Sequence, residues 1–151
     1  MTLFIVFLFL AIYNTGCMTA LQLQHYGIYP LVGREGFAKY MAANNGAAAV
    51  PTIIPAMILL LVSLALVFFT PWFVRPLEAW SALALNLVAL FSTFKWQRPL
   101  QGEMATTGYD EAKIRTVIRT NWIRTISYWL LSVLAISILL RATFPAVITP
   151  T

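Results

Sequence analysis

Long uncharged runs alternate with shorter polar ones four times along this chain. The apolar runs cover about residues 3–24, 50–69, 77–95 and 118–141, and polar connections fill 25–49 and 96–117. A bilayer core of ~30 Å needs about 20 apolar residues of helix, so each run is close to the required length. The pattern predicts an all-α integral membrane protein: a single membrane domain over residues 1–151, with four transmembrane helices in a bundle. A short interfacial helix over 36–45 is expected after the first span.

Proline and glycine set the expected boundaries. Gly27 and Pro30 are expected to end the first helix beyond His25, Asn44-Asn-Gly46 to form a turn, and Pro99 to stop the third helix. Met104 to Gly108 reads as a turn. Pro51 suits a first helical turn, where its missing N–H is no loss, and Pro55 is placed to kink the second span. Trp72 is placed as an interface anchor. Asp110 reads as the N-cap of a helix running unbroken into the fourth span and ending near Arg141; the tail, 143–151, reads as a surface extension.

Polar residues inside the apolar runs recur at helical spacing. Asn14, Cys17, Gln24 and His25 are assigned to one face of the first span, and Gly16 with Ala20 forms a small-x-x-x-small pair suited to close helix approach. Asn86, Thr93 and Gln97 mark the third span; Asn121, Thr125, Tyr128 and Ser132 mark the fourth, with Arg124 at the edge of that face. A polar stripe on a greasy helix is costly unless paired, so these faces are expected to point into the bundle. His25, Asn44, Asn45, Gln97, Arg98, Asn121 and Arg124 then gather at one end. A ligand site and the satisfied end of a helix bundle both have this composition, and the sequence leaves both open.

Composition agrees with the membrane class: 60% of residues are hydrophobic and 10% charged, against roughly 45–50% and about 25% in soluble domains. The net charge of +5 sits mainly in the first and third connections, which excludes nucleic acid as the natural partner and points to lipid headgroups. The positive-inside rule places those connections in the cytoplasm and both termini outside. The apolar run at the N-terminus lacks a basic flank and is longer than the core of a cleavable signal.

Candidate chemistry is sparse. One histidine and scattered Glu35, Glu103, Asp110 and Glu111 show no metal-ligand spacing, so no metal site is expected. No phosphate loop, dinucleotide fingerprint or Ser/His/Asp order is present. No cofactor is predicted, although His25 would serve as a single axial ligand for haem or a magnesium pigment. The candidates for chemistry are His25 as general base, with Arg98, Asn121 and Arg124 to hold an anion.

Several short motifs resemble one family. Asn14-Thr-Gly-Cys17, Gln24-His-Tyr26, Tyr29-Pro-Leu31, Ser92-Thr-Phe94, Pro99-Leu100 and above all Thr120-Asn-Trp-Ile-Arg-Thr125 are similar to the bacterial branch of a domain-of-unknown-function family that includes fungal anthrone oxygenases. The resemblance covers nearly the whole chain. It implies a four-helix membrane fold, a bacterial inner-membrane location and, for the fungal branch, cofactor-free oxygenation of polycyclic phenols. Histidines of the bacterial pattern are replaced here by Met41, Asn44 or Asn45, and Gln101, while His25, Asn121 and Arg124 remain. Those replacements favour a non-catalytic accessory subunit in a larger membrane complex, one that holds pigments or redox carriers. The alternatives are an anthrone-oxygenase-like enzyme and a small-molecule-binding protein.

Overall fold

A computed structural model describes residues 1–144. Six α-helices make up the chain: α1 (Thr2–Ala20), α2 (Phe37–Ala47), α3 (Ile54–Phe68), α4 (Pro76–Ser92), α5 (Arg98–Thr107) and α6 (Glu111–Thr143). Short tighter or wider turns extend three of them. The resulting continuous helices, Thr2–Leu31, Ala49–Phe68, Pro76–Thr107 and Glu111–Thr143, are all long and apolar enough to cross a membrane. The protein is therefore an all-helical integral membrane bundle, with the short α2 as a non-spanning helix after the first span. The surface tail expected beyond Phe144 lies outside the described residues.

The four spans form a ring in which α1 packs on α3 and α6, and α4 packs on α3 and α6. Lipid tails are as apolar as leucine, so helix association in a bilayer depends on close packing and polar contacts. The interior follows that rule. Ala11, Ala56, Ala79, Ala82, Ala89 and Ala135 are buried, filling helix crossings with small side chains, while Ile5, Phe9, Leu61, Phe68, Phe91 and Val133 face outward. Hydroxyls add glue between spans: Thr15 donates to the Tyr128 carbonyl (2.7 Å) and Ser92 to the Thr120 carbonyl (3.2 Å).

Two apolar clusters lie at opposite ends. One, around Phe4, Phe7, Leu59, Leu66, Leu131 and Ile138, fills the ring. The other joins Tyr26, Tyr29, Phe37, Met41, Met104 and Ile114 beneath α2 and α5. Between them runs a polar belt.

The connections are far more helical than the sequence suggests. The helix does not end at His25: it continues through Gly27 and Pro30 to Leu31 as a tight turn. Asn44-Asn-Gly46 is not a turn but part of α2. Pro99 does not stop the third helix; it lies in the first turn of α5, directly after a wider turn of the same continuous helix. Met104–Thr107 is helical too, and the chain turns at Gly108, whose φ of 86° suits glycine alone. Asp110 then caps α6, accepting from the Lys113 N–H at 3.0 Å. This contact holds the Asp110 carboxyl below the usual carboxylate range. Two face assignments also change. Gly16 and Ala20 point outward, away from the bundle. Gln24 is exposed, because the buried face advances in steps of four through Asn14, Met18, Gln22 and Tyr26, which turns Gln24 to the opposite side.

Candidate functional site

Three of the four spanning helices widen into a π turn, and all three turns contribute to the wall of one cavity. They cover Leu21–His25, Ala49–Ile53 and Thr93–Gln97. Such turns are rare, well under 1% of residues in proteins at large, and recur at functional sites. A proline accompanies each one. Pro55 has no N–H to offer the carbonyl of Pro51 one turn back, and the Tyr13 hydroxyl donates to that carbonyl instead (3.1 Å). Pro99 and Pro30 likewise have no N–H to offer back along their helices.

A cavity of about 30 Å³ lies between these turns. Its wall takes His25 from the first turn, Thr52 and Ile53 from the second, Thr93 and Gln97 from the third, and Arg124 from α6. That volume holds two or three water-sized groups, at about 10–15 Å³ each. A second void of about 20 Å³ touches Arg124 from the apolar side, against Met18, Ala56 and Leu90.

Arg124 is the centre of the polar belt. It is 7% exposed and has only neutral acceptors. Its Nε donates to Asn121 Oδ1 at 2.7 Å, and one Nη2 hydrogen makes a second, shorter bond to the same oxygen. Nη2 also donates to the Tyr26 hydroxyl (2.9 Å), and Nη1 to Thr93 Oγ1 at a long 3.4 Å. A guanidinium carries five N–H donors. These contacts use four, so one Nη1 hydrogen is free among the described residues. No carboxylate pairs with this charge among them either.

The neighbours are held by a relay of amides. Asn121 Nδ2 donates to Gln22 Oε1 (2.7 Å), and Gln22 Nε2 to the Ile118 carbonyl (3.3 Å). Asn121 therefore has its oxygen fixed towards Arg124. Gln97 is 1% exposed. Its Nε2 donates to the Val117 carbonyl (3.1 Å) and to Thr120 Oγ1 (2.8 Å). The carbonyl accepts only, which fixes the amide's orientation and leaves Gln97 Oε1 as a buried acceptor without a partner among the described residues. Tyr26 accepts from both Arg124 and Gln101 (3.2 Å), so its own O–H remains to be donated.

The sequence candidates occupy different ranks around this cavity. Arg124 is its cation. Asn121 stands behind Arg124 as its positioning partner. His25 lies on the wall, but its Nε2 is paired with the Tyr29 hydroxyl (3.2 Å), which also accepts from Asn44 (3.1 Å). Axial ligation of a haem or magnesium pigment through Nε2 would break that pair. Arg98 reaches the same wall from the exposed side and has no ion pair among the described residues. Of the polar-stripe residues, Asn14, Asn86, Gln97, Asn121, Thr125 and Tyr128 are buried. Gln22 is a neighbour that the sequence did not single out, while Tyr26 and Gln101 entered only through the family motifs. The proline after each π turn was the available signal.

Comparison with family models, curated proteins and solved structures gives no match to this chain.

Proposed function

We propose that this membrane protein binds a small molecule whose acidic or hydroxylic oxygen sits against Arg124. The observation that carries this reading is the buried guanidinium with neutral acceptors only. A charge inside a bilayer is expensive, and such residues sit where a partner or a pathway needs them. A bound anion or strongly polarised oxygen would supply the missing partner and accept from the free Nη1 hydrogen. The excess of basic residues around this end of the bundle supports a cytoplasmic face for it, with both termini outside.

The resemblance to anthrone oxygenases extends the reading to chemistry. Arg124 and His25 share one wall, so a phenol bound there meets a cation that stabilises its anion and a base that takes its proton. A phenolate so formed is ready to meet oxygen, and no residue of the site has to carry electrons for that first step. Thermal unfolding in detergent, with and without a series of phenols and fatty acids, tests binding; oxygen uptake with anthrone-like phenols tests chemistry. We expect ligand-dependent stabilisation that disappears in Arg124→Met. Stabilisation of equal size in that variant would overturn the assignment.

A second reading has its own support. Gly16 and Ala20 form a flat, outward strip on α1, suited to a helix of a larger membrane complex. An accessory subunit would use that strip and leave Arg124 as a packing feature. Stoichiometric partners or pigment after gentle purification from native membranes would favour it.

A further inference from the structure

We infer that the ligand reaches Arg124 sideways from the bilayer, through a cleft between α1 and the α2–α3 segment, and that it is an elongated apolar molecule ending in a hydroxyl group. The inference rests on the binding reading above and adds the route and the shape of the occupant.

The cleft has a volume of about 690 Å³ and is open to the outside of the bundle. That falls in the range of ligand pockets, roughly 300–1,000 Å³. Its outer wall is mainly apolar, with Ala20, Leu23, Ile28, Ala47 and Pro51 beside Cys17 and Gln24. Its inner end adjoins the Arg124 cavity. Leu21, His25, Asn44, Ala48 and Thr52 line both spaces and form the neck between them. Two of the three π turns, Leu21–His25 and Ala49–Ile53, supply Leu21, His25, Thr52 and Ile53 to the neck and the adjoining wall.

The inner cavity selects the head. Its unfilled groups are one N–H of Arg124, the Tyr26 O–H and the buried acceptor Gln97 Oε1. A hydroxyl satisfies both kinds at once: its oxygen accepts from Arg124 and Tyr26, and its hydrogen is donated to Gln97. At about 30 Å³ the cavity is too small for a phospholipid phosphate with its substituents. A bilayer lipid therefore fits the cleft with a chain but leaves the inner groups unpaired. An apolar molecule with a terminal hydroxyl fills both spaces.

The test uses the full chain in phosphatidylcholine nanodiscs and a para-alkylphenol with a photoreactive diazirine in its alkyl chain. Peptide mapping after illumination is expected to show saturable label around Leu23–Ile28 and Ala47–Pro51. Unlabelled para-alkylphenol is expected to remove at least tenfold more of that label than its methyl ether, which has no hydrogen for Gln97. Ala48→Phe, which narrows the neck, is expected to abolish the saturable label with little change in Tm. Equal competition by the methyl ether would make the cleft a lipid groove and overturn the inference. Saturable label near Trp96 and Arg119, on the far side of the bundle, would overturn the route. If phenol still stabilised the wild type but not Arg124→Met, that second outcome would leave the binding reading standing. If phenol stabilised neither, both would fall.

Discussion

Two arginines on the same helix meet opposite fates. Arg141, at the end of α6, is clamped by Glu78: Nη1 lies 2.5 Å from Oε1, and Nη2 lies 2.7 Å from Oε2 and 3.1 Å from the Phe73 carbonyl. The same carboxylate accepts from the Arg75 N–H (2.8 Å), so one acid caps α4 and ties it to α6. Arg124, about 25 Å away along the helix at 1.5 Å per residue, has no acid at all. Arg141 has what a structural cation needs, a planar fork against a carboxylate. Arg124 has amide and hydroxyl partners that hold it in place without neutralising it. The backbone differs in the same sense: α4 and α6 are regular near Arg141, whereas three helices widen near Arg124.

If one arginine is structural and the other is poised for a ligand, substitutions should separate them. The largest expected effect is on binding. Arg124→Met should weaken a hydroxylic or acidic ligand by about 10- to 100-fold, since a charged hydrogen bond contributes about 1.5–3 kcal/mol. The ligand-free Tm should move less than it does for Glu78→Gln, because Arg124→Met removes a charge that has no counter-ion. Comparable unfolding of the two variants would break the comparison. Glu78→Gln should leave binding intact and lower stability by about 1–2 kcal/mol, less than for a fully buried pair because this one meets the membrane surface. Denaturant titration in micelles would measure it.

A smaller effect is expected from Gln97→Leu. It removes the unpaired acceptor but also two donated bonds, so hydroxyl ligands should lose about 3- to 10-fold in affinity while their methyl ethers lose nothing. The smallest concerns Asp110, far from either arginine. Its folded pKa is depressed by the Lys113 N–H, so the cap's contribution is present above the unfolded value of about 3.9 and is lost as pH falls through the folded one. Asp110→Ala should therefore lower Tm slightly at neutral pH and not at about pH 2, by circular dichroism.

Much of the architecture was legible because it depends on averages over about 20 residues. Four apolar runs are visible whatever their details, and Asp110 stands where a cap must. The connections were misread because soluble-protein punctuation was applied to a bundle. Pro99 and Pro30 break helices in water, but within a packed membrane helix the freed carbonyls find other donors and local turns adjust. The Pro51 carbonyl, taken up by Tyr13, is the clearest case. Arg124 and Asn121 were legible as polar groups in a greasy segment. Gln22 and Tyr26 were not, since simple counting assigned Gln24 and His25 to the buried face. The orphan oxygen of Gln97 depends on where Val117 and Thr120 sit across the bundle, which no local pattern contains.

The account rests on Arg124 as the seat of a ligand. Equilibrium binding of a para-alkylphenol to the protein in nanodiscs, compared among wild type, Glu78→Gln and Arg124→Met, addresses that most directly. The account expects saturable binding of similar affinity in wild type and Glu78→Gln, and a loss of at least tenfold in Arg124→Met. Undiminished binding in a folded Arg124→Met protein would contradict it.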